Sequence, residues 1–295
     1  MCKLCSWFSK PPAPEPDPII IPEEKKEKYA LLIGISKYPP YMNADLQGCE
    51  YDIADNMRTR LINDFGFHPD NIRMLLDERA TFNNILDRTH WLMSHENAEL
   101  VKLFSGHGSY VQDRNGDEVD GVDEVMVCYD HDWDRPLTDD ILGAVYSTRP
   151  SNSFFSFLSD SCHSETQARD FTRIKEKLKK HHSWPKPKYL LPPKDIRVRE
   201  YLIDKNVKHI GGKFKKLSNM ITFSGCRDDQ TSADAYIGGQ WQGAFTWAYS
   251  QLIEPNKTWA DIYQLVISLL SAEGFSQVPQ LNGAQLENRP IFGGI

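Results

Sequence analysis

A histidine and a cysteine, each placed just after an apolar run, carry the reactive potential of this chain. His107 lies between glycines in Phe104-Ser-Gly-His-Gly108, and Cys162 lies in Asp160-Ser-Cys-His-Ser164. A thiol attacks a carbonyl well only as a thiolate, so it needs a base or a positive charge beside it. The flanking glycines leave the His107 imidazole uncrowded, and the amides of Gly108 and Cys162 are expected to donate to a developing oxyanion. Taken singly, Cys162 reads as a buried core cysteine and His107 as a turn residue. Their joint placement after neighbouring strands favours a nucleophile and its general base. His163 is a competing base, but on an extended strand end it points away from the side that Cys162 faces. A zinc ion held by Cys162, His163 and His107 is a weaker arrangement that the same residue types permit.

These side chains need elements that bring them together. Tyr29–Ile35 is a continuous apolar run of the kind that a parallel, doubly covered strand shows. Further strands are expected at Asn71–Leu76, Glu99–Phe104, Glu124–Tyr129, Ser153–Leu158 and Met220–Phe223, with a short one near Val278–Leu281. Helical spacing covers Gly48–Phe65, Thr81–Ser94 (with Thr81 as N-cap), Thr138–Tyr146, Gln240–Ile253 and Thr258–Leu270. Alternating strands and helices predict an α/β fold, a mostly parallel central sheet with helices on both faces. Sites in such sheets form at the carboxyl ends of the strands, where His107 and Cys162 both fall.

The 295 residues suffice for one large core, and there is no apolar run long enough to span a bilayer. The six cysteines are scattered, and Cys2 and Cys5 form a lone CxxC without a second pair, so reduced thiols and a cytoplasmic setting are expected. The net charge of −7 is uneven: residues 171–218 hold 15 Lys/Arg against 4 Asp/Glu. This run sits inside the chain, between two patterned halves, which does not point to a nucleic-acid tail. Residues 1–27, rich in Pro and then in Glu and Lys, read as a flexible leader. Residues 28–295 read as one domain, with 171–218 as a basic, proline-broken insert.

The two reactive motifs resemble those of metacaspases, within the caspase-like cysteine peptidases. Further matches are Leu46-Gln-Gly-Cys-Glu-Tyr-Asp52, the segment 117–124 (GDEVDGVDE within Gly116–Glu124), Leu137-Thr-Asp-Asp140 and the stretch from Ser224 to Asp234. The resemblance covers about residues 28–170 and 219–295. It implies a caspase-like three-layer sandwich, a Cys162–His107 dyad, and endopeptidase cleavage after Arg or Lys of protein or peptide substrates. Carboxylates suit such a cation, and the resemblance carries the pocket to Asp52, Cys49, Ser105 and Asp160. Asp234 and Gln230 are either substrate contacts or ties within their loop.

Segment 113–124 superficially has an EF-hand's acidic spacing, but Glu118 stands where that loop needs glycine. The resemblance implies a different, activating Ca2+ site at Asp123, Asp139 and Asp140. The family's fourth aspartate falls at Arg169, with Asp170 one position on. The resemblance also implies self-processing in the basic insert, after Lys179, Lys180, Arg199, Lys215 or Lys216. A monomer is expected. The alternative from another class is an inactive caspase-like scaffold that binds partners through the insert.

Overall fold

The computed structural model describes residues 26–113, 116, 121–162, 185–193, 196, 218–227, 230–283 and 285–294. The leader therefore lies almost wholly outside the described residues, and Glu27 already belongs to the first strand.

In chain order the strands are β1 (Glu27–Gly34), β2 (Ile72–Leu76), β3 (Ala98–Ser105), β4 (Gly108–Gln112), β5 (Val122–Met126), β6 (Leu137–Thr138), β7 (Phe154–Asp160), β8 (Lys186–Pro187), β9 (Met220–Ser224), β10 (Ala233–Ile237), β11 (Gln240–Gly243) and β12 (Gln280–Asn282). The helices are α1 (Cys49–Tyr51), which passes through a π-helical turn (Asp52–Met57) into α2 (Arg58–Phe65), then α3 (Phe82–Met93), α4 (Asp139–Tyr146), α5 (Ala244–Leu252) and α6 (Trp259–Ala272). Thr81 caps α3 through Asn84 N–H, as its sequence position predicts, and Thr258 with Asp261 forms a capping box on α6. No helix of the described residues is long and apolar enough to cross a membrane.

Six strands form the central sheet in the order β12-β9-β7-β3-β1-β2, parallel throughout except for β12. The chain runs outward from β1 to β2 and then returns to β3 on the other side. The switch in direction therefore opens a crevice at the carboxyl ends of β1 and β3. Successive side chains of β3 enter opposite cores: Val101 and Leu103 pack with α2, α5 and α6, while Leu100 and Phe104 pack with α3 and α4. Gly34 ends β1 where a Cβ would meet Cys49 O at 2.5 Å and Ile53 Cγ1 at 2.7 Å. A side chain there would push α1 off the sheet.

Two expected spans are corrected. The strand expected at Glu124–Tyr129 is β5, Val122–Met126, and it lies in a separate antiparallel sheet β4-β5-β6. Helix α5 begins at Ala244 and not at Gln240: Gln240–Gly243 is β11, paired with β10 around Gly238 and Gly239, whose φ values of 62° and 92° suit only a glycine-rich tight turn. The hairpin β10–β11 receives β8 of the basic insert as a third strand.

Candidate active site

Strands β3 and β7 are paired so that Ser105 stands opposite Asp160. His107 follows Ser105 by two residues and Cys162 follows Asp160 by two, so the register alone brings them to one edge of the sheet. Gly108 approaches so closely that a Cβ there would collide with the Cys162 backbone. That contact leaves the amides of both residues aimed at one point: Gly108 N–H and Cys162 N–H donate to the same oxygen, Lys188 O, at 3.0 and 3.2 Å.

Lys188 comes from the basic insert. Its Nζ lies 3.0 Å from Asp160 Oδ2 and 3.2 Å from Asp52 Oδ2, and it donates to Ser105 Oγ at 2.8 Å. All four residues are fully buried. Each carboxylate is held from behind. Gly243 N–H donates to both oxygens of Asp52 at 3.0 Å, and Ser105 Oγ–H donates to Asp52 Oδ2 at 2.7 Å. Thr246 donates its N–H and its hydroxyl to Asp160 Oδ2, and the Ser232 hydroxyl donates to Oδ1. A Cβ on Gly243 would strike Asp160, Lys188 and Asp52 together, so this glycine is the floor of the pocket. Asp52 starts the π-helical turn, a local widening of the helix that turns functional side chains inward.

The electrostatics follow from burial and pairing. Burial pushes the Asp52 carboxyl up to about 7, although Lys188 pulls it back down. Burial likewise raises Asp234. For Lys188, burial would lower the pKa, but Asp160, Cys49, Asp52 and Asp234 outweigh it and hold the ammonium well above the usual lysine range. Cys49 is fully buried beside this group, and burial raises its thiol pKa.

His107 Nε2 lies 2.7 Å from Ala44 O, which can only accept, so this nitrogen carries the proton and Nδ1 carries the lone pair. Nδ1 is buried without a hydrogen-bond partner among the described residues. Burial lowers the His107 pKa to about 4; the Ala44 bond opposes this, and Lys188 and Lys186 add to it. The ring is therefore neutral, with its basic nitrogen open. The backbone N–H of His107 donates to Tyr38 Oη at 3.0 Å, which fixes the loop. The Cys162 thiol touches Ser232 and lies 3.7 Å from Cys226 Sγ, and no hydrogen bond joins it to His107 in this state.

The carboxylate of Asp234 accepts from Gln47 N–H and Gly48 N–H at 2.7 and 2.9 Å. It pins the loop that leads into α1, its backbone pairs across from Lys186 of the insert, and its charge acts on Lys188. Gln230 bonds Ser276 and Val278, so it ties its loop to the C-terminal segment. Asp123 is buried on β5, and the pairing of Val125 with Thr138 carries it toward Asp139 and Asp140. No three His, Cys, Asp or Glu side chains converge as a metal site among the described residues. His163, Asp170, Lys179, Lys180, Arg199, Lys215 and Lys216 lie outside the described residues. Sequence reasoning missed Lys188, Ser232, Gly243 and Thr246. The last two carried a signal in the Gly238–Gly239 turn, which marks the hairpin leading to the pocket floor.

The caspase-domain family profile matches residues 27–289. Metacaspase-1 of Meyerozyma guilliermondii is 30% identical over 296 residues, covering 90% of this chain and 71% of that protein. Metacaspase-2 of Arabidopsis thaliana is 33% identical over 243 residues, covering 77% and 52%. The crystal structure of a Geobacter sulfurreducens protein superposes with a TM-score of 0.66 over 91% of this chain and 99% of that one; at 21% identity it bears on fold alone. With the profile spanning nearly all of the patterned sequence, the chain belongs to the caspase-domain family of cysteine peptidases, as a relative of the metacaspases.

Proposed function

We propose that this chain is an endopeptidase that cuts after Lys or Arg, and that it cuts its own Lys188–Tyr189 bond. The carrying observation is the pose of Lys188, with its ammonium between Asp52 and Asp160 and its carbonyl oxygen at the amides of Gly108 and Cys162. A pocket that holds one buried cation with two carboxylates selects basic side chains, and the two amides stabilise the charge that develops on the carbonyl oxygen.

The chemistry then runs through two side chains. His107 Nδ1 takes the Cys162 thiol proton while Nε2–H stays on Ala44 O. The thiolate adds to the carbonyl carbon, the C–N bond breaks as His107 returns the proton to the amine, and a thioester remains. Water, deprotonated by the same nitrogen, hydrolyses it.

Calcium activation belongs to the same reading, with Asp123, Asp139, Asp140 and Asp170 as oxygen ligands. It is supported by the β5–β6 register, which sets the strand bearing Asp123 beside the start of α4 at Asp139–Asp140. A cytoplasmic location fits the free thiols of Cys49, Cys128, Cys162 and Cys226.

The test is self-cleavage of the purified chain with and without calcium, against Cys162→Ala. A new fragment whose N-terminal residue is Tyr189, absent from Cys162→Ala, is the expected result. Fragments starting only after Lys179, Lys180, Arg199, Lys215 or Lys216 would overturn the Lys188 assignment. Identical bands for both proteins, together with no turnover of Arg or Lys peptides, would leave the inactive scaffold standing.

A further inference from the structure

The path of the insert beyond Lys188 traces a second recognition surface. Tyr189 is only 7% exposed, packed against Cys162 and Cys226. Its ring lies nearly parallel to that of Tyr110 on β4, with centroids 6.5 Å apart and planes inclined by 13°. The next residue is held through its backbone: Leu190 N–H donates to Gly108 O at 2.9 Å, and Ser109 Oγ–H donates to Leu190 O at 2.7 Å. Leu191 is 46% exposed, and Pro192 beyond it is buried again.

We propose that Tyr110, the Cys226 thiol and the edge of β4 form a subsite for an aromatic residue directly after the bond being cut. This rests on the peptidase reading, because it takes Lys188 and Tyr189 as the two sides of a scissile bond. Offset aromatic pairs and sulfur–aromatic contacts both favour a ring here over a small side chain. The β4 bonds to Leu190 use only main-chain atoms of the bound segment, so they hold any following residue and confer no preference. Selectivity at this position comes from the ring pocket alone. The site is distinct from the carboxylate pocket: it lies on the leaving-group side, touches a different strand and reads shape rather than charge.

The test uses two internally quenched peptides spanning residues 184–191, one with the natural Lys-Tyr pair and one with Tyr replaced by Ala. The full-length chain should show a kcat/KM higher by about threefold to tenfold for the Tyr peptide, the range expected for one aromatic pair. Tyr110→Ala should bring that ratio to about one, and Tyr110→Phe should keep it, whatever either variant does to the overall rate. Equal cleavage of both peptides by the unmodified chain overturns the subsite while leaving the peptidase reading intact. An undiminished ratio in Tyr110→Ala also overturns it. Failure to cut either peptide removes the peptidase reading and the subsite with it.

Discussion

Two lysines among the described residues are fully buried, on different sides of the protein's chemistry. Lys188 sits among Asp52, Asp160 and Ser105 at the end of the sheet. Lys102 points from the middle of β3 into the core beneath α3 and α4, donates to Thr89 Oγ1 and Tyr146 Oη, and lies over the rings of Tyr146 and Phe157. Burial acts on both in the same direction. Around Lys188 the carboxylates reverse it, and the pKa rises. Around Lys102 no carboxylate among the described residues answers, and burial lowers the pKa to about 7. The difference separates a pocket built for a cation from a core that tolerates an amine. A buried ammonium by itself says nothing about function; the opposing charges, each held in place from behind, do.

The sharpest way to break this comparison is to remove the charges around Lys188. Asp160→Asn should lower kcat/KM for Lys and Arg peptides by about 100-fold to 1000-fold, the scale of breaking a buried ion pair. Asp52→Asn should cost less, because burial has already pushed that carboxyl up to about 7 and it carries part of its charge at neutral pH. If Asp52→Asn proves the more damaging, Asp52 rather than Asp160 is the main anchor of the cation. Next in size is Gly243→Ala. Its Cβ would enter the space shared by Lys188 Nζ and both carboxylates. A loss of about 10-fold to 100-fold in kcat/KM is expected, with the melting temperature little changed, since overpacking of about 1–3 kcal/mol falls on the bound cation rather than on the core. Normal turnover of Gly243→Ala on Arg peptides would show that the pocket rearranges for substrates.

The same contrast explains what the sequence could reveal. The apolar runs of β1, β3 and β7 are legible because strands buried on both faces are mostly apolar, with few polar residues among them. Once those strands are placed, the positions two residues past Ser105 and Asp160 follow, and with them His107 and Cys162. Lys188 was not legible. In a stretch with 15 basic residues every lysine looks alike, and what distinguishes this one is tertiary: the pairing of β8 with β10 and the two amides waiting at its carbonyl. The helix read from Gln240 failed for a related reason. Apolar spacing in Trp241–Ala248 fits either period, and the Gly238–Gly239 turn, not hydropathy, decides for a hairpin.

The smallest effect concerns that second lysine, and it tests the comparison from the side of stability. In the unfolded chain Lys102 titrates near the ordinary lysine value of 10.5, and in the fold near 7. Between these values the unfolded state binds a proton that the folded state does not, so stability rises with pH across that window, by up to about 1.4 kcal/mol per pH unit. The cost of burying Lys102 is fully present below pH 7 and relieved above it. Lys188 contributes almost nothing to this slope at pH 7.5–9, because its raised pKa in the fold and the ordinary lysine value in the unfolded chain both keep it protonated there. Lys102→Met removes the titrating group; Thr89 keeps its bond to Ile85 O. Both proteins are compared in a Cys162→Ala background, which prevents self-cleavage. Urea midpoints measured from pH 7.5 to 9 should rise more steeply with Lys102 in place than in the Lys102→Met variant, with the variant the more stable at the lower end. Parallel curves would mean that Lys102 keeps its proton in the core, and that the contrast between the two lysines lies in their partners but not in their charge.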